Sequence, residues 1–559
     1  MRVRALRLLA AVGVVATLSA CVTLPDSGPV RQGDPDVTEP GSIALLARLP
    51  EPDDGPRQIV EGFLRAAAAG LADDFQIARE FLTGTRKESW NPLARVTVLA
   101  GQPELETAPL SSDILVTADA SATLDEEGRY TEAVPGATVG LSLELALDDE
   151  GRWRIRELPD GALLPEPIFR SLFQQVPLHF VTPDGGALVA ETHWFPRQSA
   201  ETAAVRSLLE GPSPWLAPGA VSRFPRGTRL LSESVPVSGG VAQVDLSREL
   251  RGVAEPSRGL MLAQLTETLT GLPSVESVAV TAGGVPLDMS GVPQDLVVDP
   301  SVGTNPAVLS DGFLRTVEGT ELVPWGETGP VTAPAPSDPA VGYDDGSAVV
   351  LSRRTAVVTV PPEGQGSVTL LSGQDELTPP SIDRFGWVWT APAANEGLAL
   401  AVQQGARAEV DAEWLSGREV LALRVSREGA RALVLSVDGV TMSLEIAAVV
   451  RDGAGRPVSL GQPLRIGQRI TRASTAVWVD RQTVAVLGQL SEATSDTVLL
   501  AVVGGPTSAL PAVEDPVDLA AGKGDQLIVV ATSSGDLYTR SGLDWTQMVQ
   551  GVSDPAFPG

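Results

Sequence analysis

The chain has 559 residues, 43% of them hydrophobic and 20% charged, a balance that folds, at a length that divides into three or four domains rather than one core. Its formal net charge of −29 repels phosphate backbones and anionic lipid headgroups alike, so no nucleic-acid partner is expected and any membrane attachment has to be covalent or inserted. One cysteine and two histidines, Cys21, His179 and His193, rule out an internal disulfide. They also leave little for zinc or copper sites or for Ser-His-Asp and Cys-His chemistry, so no catalytic residue, metal ligand or cofactor is expected.

Arg2, Arg4 and Arg7 open the chain, and an apolar run from Leu8 to Leu18 follows. That run suits an export signal over residues 1–20 and is too short to span a bilayer. Leu18-Ser19-Ala20-Cys21 then resembles the bacterial lipobox, in which a branched apolar residue and two small ones precede a cysteine. The resemblance implies cleavage between Ala20 and Cys21 and a diacylglyceryl group on the Cys21 thiol. A plain secretory signal with an accidental cysteine is the alternative, but the sole cysteine of the chain stands where a lipoprotein needs one. Residues 21–54, rich in Pro, Gly and Asp, read as a flexible tether. The expected location is the outer face of a cell membrane, held by lipid.

From 55 to 165 the pattern predicts an α+β domain. Ile59, Val60, Phe63, Leu64 and Ala67 have helical spacing up to Gly70. A second helix capped by Asp73 or Asp74 carries Phe75, Ile77, Ala78, Phe81 and Leu82 on its apolar side. Leu141, Leu143, Leu145 and Leu147 alternate as in a half-buried strand, the chain turns at Asp148–Gly151, and Trp153 and Ile155 return. Two helices and a curled sheet resemble the nuclear-transport-factor-like cone, a fold that hosts enzymes and inert binding modules alike. Asp73, Asp74 and Glu80 could be pictured as an acid–base cluster, but capping and solvation explain them.

Residues 170–295 alternate strands with helices. Strands at 176–181 and 187–195 flank Thr182–Gly186, and a helix ends at Leu208–Pro212. Strands at 228–237 and 241–246 meet across Gly239-Gly240, and a helix over 260–270 leads to a strand at 275–280. The segments at 208–212, 225–232, 241–247 and from Leu262 onward resemble the α+β GerMN domain, which implies an interaction module without a catalytic signature. His179 reads as strand-face filling, and His193 beside Trp194 as a candidate for an exposed recognition patch.

The last stretch, 305–559, predicts an all-β propeller of about six blades. Comparable units start near Ala307, Val341, Ser381, Arg424, Thr475 and Gln526, each a tight polar turn before an alternating strand. A pair of β-sandwiches is the competing architecture. Asp345, Asp383, Asp438 and Asp480 occupy apparent turn positions, where aspartate bonds to local backbone.

The order of lipobox, tether, N-terminal domain, GerMN domain and propeller resembles the LpqB family of actinobacterial lipoproteins. That resemblance implies binding to the extracytoplasmic part of the histidine kinase in the MtrA–MtrB two-component system, with effects on cell-wall and division genes. Two other readings stand beside it: an envelope accessory protein binding glycan or peptide for cell-wall assembly or transport, and a hydrolase using propeller carboxylates or a metal.

Overall fold

The structure is a computed structural model that describes residues 47–559 apart from 108–111, 290, 292, 294, 344, 345, 374 and 492. Leu18, Ser19, Ala20 and Cys21, and the tether as far as residue 46, lie outside the described residues, as does Asp345.

The N-terminal domain is built on helix α1 (Pro56–Ala69), whose Ile59, Val60, Phe63, Ala66 and Ala67 are buried. Pro56 sits in the first turn, where a missing N–H costs nothing. The second helix is shorter than its apolar spacing suggests: α2 covers only Gln76–Arg79. Asp74 and Phe75 take left-handed φ values of 54° and 58°, which a helix cannot contain. At its far end Phe81 accepts a backbone hydrogen bond from Ile155, and Thr83 donates one back, so the chain leaves as an extended segment. Phe75, Ala78, Phe81 and Leu82 are nevertheless buried. After the one-turn helix α3 (Arg86–Ser89) the sheet follows. Its strands are β1 (Arg95–Leu99), β2 (Glu104–Thr107), β3 (Ile114–Asp125), β4 (Tyr130–Glu132), β5 (Thr138–Leu147), β6 (Trp153–Glu157) and β7 (Ala162–Pro165). The order β6-β5-β3-β1-β7 is antiparallel except for β1 with β7. Its inner face meets α1 around Trp90, Leu99, Ile114, Val116, Leu143 and Ile155.

Helix α4 (Glu166–Leu172) leads into a long hairpin, β8 (Phe173–Val181) and β9 (Leu188–Pro196), paired without a break from Phe173↔Pro196 to Val181↔Leu188. Helix α5 (Ala200–Glu210) and helix α6 (Glu255–Thr270) pack on it through Ala204, Leu208, Met261, Leu265 and Leu269. Helix α6 begins five residues before Leu260 because Pro256 falls in its first turn. The expected strand over 228–237 is mostly irregular: only β10 (Val237–Ser238) pairs with β11 (Val241–Leu246), and Leu230 touches Leu246 in one bridge. Pro236, without an N–H, interrupts any longer ladder. Strand β12 (Ser277–Ala282) runs parallel to β11, and β13 (Val285–Pro286) completes the sheet.

Residues 307–556 make six four-stranded blades, of which the third and fourth join through their outer strands at the parallel pair Asp411↔Ser459, and the fourth has an added strand, Leu464–Ile466. Blade I joins the chain's last strand, Ser553–Ala556, to Ala307–Ser310, Phe313–Glu318 and Glu321–Pro324, so the two ends of the domain close one ring. Blades II to VI begin with Pro336–Val341, Ser381–Ile382, Glu419–Val425, Ile470–Trp478 and Pro516–Ala521. These innermost strands touch one another around the axis. Each blade buries its faces on its neighbours, the condition under which such repeats are stable.

Candidate functional site

Strand β9 holds the three domains together. Every side chain from Leu188 to Phe195 is buried, although a strand of a two-stranded hairpin would normally leave one face to water. The polar residues among them explain the burial, because each is matched to a partner across a domain boundary or within the GerMN-like fold.

On the side of the N-terminal domain, the Trp194 amide donates to the Gly128 carbonyl at 2.8 Å, and His193 Nδ1 lies 2.7 Å from the Glu127 carbonyl. The Trp194 ring stacks on Tyr130 at 5.5 Å and packs on Phe169 at 5.0 Å. On the side of the propeller, Trp194 Nε1 donates to the Gly504 carbonyl at 2.9 Å, and Gln482 Nε2 to Thr192 Oγ1 at 2.9 Å. Two glycines make these approaches possible: a Cβ on Gly128 would stand 2.5 Å from the Trp194 carbonyl, and one on Gly504 2.7 Å from that of Thr192. Both have positive φ, at which a side chain is strained in any case. A direct bridge closes the triangle, since Glu132 of β4 accepts from the Thr507 amide at 2.8 Å and from its hydroxyl at 2.7 Å.

The seam's electrostatic centre is Arg431. Its side chain is fully buried, paired with Glu428 at 2.7 Å, and donates to the carbonyls of Ala190 and Arg481. Burial alone would raise the Glu428 carboxyl, but the Arg431 guanidinium and the Ser426 hydroxyl outweigh it and hold the group below its usual range. Arg481 in turn faces His179, with Nη1 3.2 Å from Nε2. Burial, with Arg481 and Arg431 adding to it, pushes the His179 pKa down to about 3, so the ring is neutral and accepts that bond. His193 is buried too, at 5% exposure, with Nε2 3.7 Å from Glu191. The exposed patch expected around His193 and Trp194 does not exist, because the hairpin turns both into the junction.

The other singled-out acids have local roles. Asp73 caps α2 by accepting from the Ile77 amide, and Glu80 pairs with Lys87 at 2.9 Å. Asp480 accepts from the amides of Gln482 and Thr483. Asp438 ends the second strand of the fourth blade, Arg431–Asp438, and is exposed. Asp383 does more than form a turn: it is buried, accepts from the Phe385 and Trp387 amides and Trp389 Nε1, and pairs with Arg451 at 2.6 Å.

Sequence reasoning passed over three aspartates at the propeller axis. Asp338, Asp518 and Asp554 stand near the starts of innermost strands in neighbouring blades. The repeat that could have revealed two of them is Ser-Asp-Pro-Ala, present at 337–340 and again at 553–556. The Asp338 amide donates to Asp554 Oδ1 at 3.1 Å across the ring-closing seam. Desolvation, then Asp338 and Asp554, push the Asp518 pKa up to about 7, with the Leu519 amide and, more weakly, Arg424 opposing. Toward the other end of the axis Arg427 donates to the carbonyls of Trp478, Val479, Ala521 and Gly522. Among the described residues no group of three or more His, Cys, Asp or Glu side chains is arranged to hold a metal ion.

Family models match in the order of these domains. "Lipoprotein LpqB, N-terminal domain" matches residues 49–170, "Sporulation and spore germination" 177–288, and "Lipoprotein LpqB beta-propeller domain" 312–558. The chain belongs to the LpqB family. Lipoprotein LpqB of Streptomyces coelicolor is 28% identical over 98% of this chain and 97% of its own length. Its counterpart in Cutibacterium acnes is 23% identical over 96% of each. Among solved structures, the tandem GerMN domains of the sporulation protein GerM from Bacillus subtilis align at 21% identity and TM-score 0.17, over 23% of this chain and 42% of that one. A chain of a nidogen–laminin complex aligns at 8% identity and TM-score 0.36, over 46% of this chain and 99% of that one. No described helix of this LpqB-family chain is long and apolar enough to cross a membrane.

Proposed function

We propose that this LpqB-family chain is a lipid-anchored extracytoplasmic binding protein that engages the sensor domain of an MtrB-like histidine kinase and biases two-component signalling to cell-wall homeostasis and division. It works by binding, not by catalysis. The observation that carries the reading is the junction at β9, which welds three domains into one body and presents surfaces from all of them in fixed relation. Both histidines are used up in that weld.

Two acyl chains on Cys21 would give the two-signal anchoring that one chain cannot. Confinement to the layer beside the membrane raises the effective concentration of a partner held there, so a modest interface suffices. Binding biases the kinase only if it favours one of its states over the other. The test is a Cys21→Ala chain exported at normal level. Reduced kinase output, restored when the soluble chain is given an unrelated lipoprotein anchor, is expected. Unchanged output in the unanchored strain would contradict the proposal.

A further inference from the structure

The segment after the ring-closing strand, Phe557–Gly559, turns into the propeller axis. It forms one wall of a cavity of about 40 Å³ whose other walls include Ala340, Arg424, Trp478 and Ala520, from blades II, IV, V and VI. Phe557 is 7% exposed and shares an apolar cluster with Val308 and Val317 of blade I and Ala520 and Val529 of blade VI. Gly522 makes room for its ring, since a Cβ there would stand 3.1 Å from Phe557 Cε1. Yet among the described residues none makes a hydrogen bond with Phe557, Pro558 or Gly559. Packing alone holds the segment. Two donors beside it are left over: Tyr343 Oη and Arg427 Nε are both buried without a hydrogen-bond partner. A Cβ built on Gly559 would lie 3.4 Å from Tyr343 Oη and 3.7 Å from Arg427 Cγ. Arg427 is 4% exposed, and its guanidinium donates only to backbone carbonyls. The acids that act on it, Asp299, Asp480 and Glu428, are committed to Lys523, to the Gln482 and Thr483 amides and to Arg431. A buried cation with no carboxylate against it, next to an unpaired hydroxyl, costs free energy.

We infer that this axial socket is a peptide-docking site, closed in the resting chain by its own Phe557–Gly559, and that it takes an extended Phe-Pro-Asp segment of a partner protein. The resident residues define the first two positions. An aromatic ring fills the space over Gly522, and a proline brings no N–H that would need an acceptor. The third position is where the resident segment falls short. From a Cβ 3.4 Å from Tyr343 Oη, an aspartate carboxylate reaches that hydroxyl and the Arg427 Nε–H, and supplies the countercharge the guanidinium lacks. Desolvation raises the Tyr343 pKa, so the hydroxyl is protonated and donates. A segment that pairs both donors therefore displaces one that pairs neither. The resident segment competes at an effective concentration of about a millimolar, which screens out weaker ligands. The inference goes beyond kinase binding and does not rest on it, so its failure leaves that proposal standing.

Fluorescence anisotropy on the full chain in lipid nanodiscs tests this with labelled Asp-Pro-Ala-Phe-Pro-Asp. The controls are the same peptide ending in Asn or in Gly, the latter matching residues 554–559. Removing residues 557–559 from the chain should tighten binding of the Asp peptide by about tenfold or more, because the competitor is gone. The Asp peptide should bind about tenfold tighter than the Asn peptide, and one with Ala in place of Phe should not bind. Tyr343→Phe should weaken the Asp peptide severalfold while leaving the Gly peptide unchanged. If the shortened chain fails to fold, the intact chain with 4-fluorophenylalanine at position 557 still decides. Millimolar Asp peptide should move its fluorine resonance from a buried to a solvent position. No binding to the folded shortened chain at millimolar peptide, equal affinity for shortened and intact chains, no preference for Asp over Asn, or an unmoved fluorine resonance would each overturn the assignment.

Discussion

Arg431 and Glu428 form an ion pair with almost no access to water, at 0% and 5% side-chain exposure. Such a pair adds little net stability over an apolar replacement of both partners, but losing one partner strands the other's charge. Arg431→Ala should therefore destabilise the chain by about 3–5 kcal/mol, read from urea unfolding at neutral pH. Two other ionisable groups give opposite pH dependences. His179 has a folded pKa of about 3 against 6.5 unfolded. The unfolded state thus takes the proton first, and stability falls as pH drops below 6.5 toward 3. From pH 7 to pH 5 that loss is about 2 kcal/mol, and His179→Gln should abolish it. Asp518 has a folded pKa of about 7 against 3.8. Its contribution is intact below 3.8 and is lost as pH rises from there to 7, so Asp518→Asn should raise the melting temperature at pH 8 and change little at pH 4. Melting curves of both variants across that range separate two slopes that partly cancel in the parent chain.

At the scale of elements, β9 carries the greatest burden. Trp194 closes an aromatic cluster with Tyr130, Phe169 and Phe173 and is only 8% exposed. Trp194→Ala should cost about 3–5 kcal/mol and split a single calorimetric transition into separate ones, because the N-terminal domain loses its main contact with the hairpin. Helix α1, the leucine strand β5 and the hairpin turns were legible in the sequence, since each is set by periodicity or by a turn residue close in the chain. Four of the six propeller units, from Val341, Ser381, Arg424 and Thr475, are the first hairpin of a blade. Those from Ala307 and Gln526 hold the second and third strands instead. For Ala307 the offset arises because blade I borrows its innermost strand from the far end of the chain, a pairing no local pattern reports, whereas the unit from Gln526 starts one strand after blade VI's own innermost strand, Pro516–Ala521. The burial of His193 and Glu191 was illegible for the same reason: their partners lie in other domains or after a long loop. Asp74 and Phe75 show the converse, where apolar spacing continued past a backbone that could not follow it.

On the scale of the whole molecule, the three domains pack as one compact unit in which Glu132, Trp194 and Arg431 tie them pairwise. The proposed partner would therefore meet a composite face rather than three independent modules on strings, which would keep ordering costs at binding small. The lipid anchor proposed at Cys21, within the lipobox-like run Leu18–Cys21, would hold the chain within reach of membrane proteins. The most direct measurement is gentle in vivo crosslinking followed by purification of the full-length chain from native membranes and mass spectrometry of what accompanies it. Recovery of the extracytoplasmic domain of a histidine kinase, crosslinked to the folded body, is the predicted result. Membranes in which the kinase is abundant and the chain is retrieved intact, yet no kinase peptide accompanies it, would contradict the account.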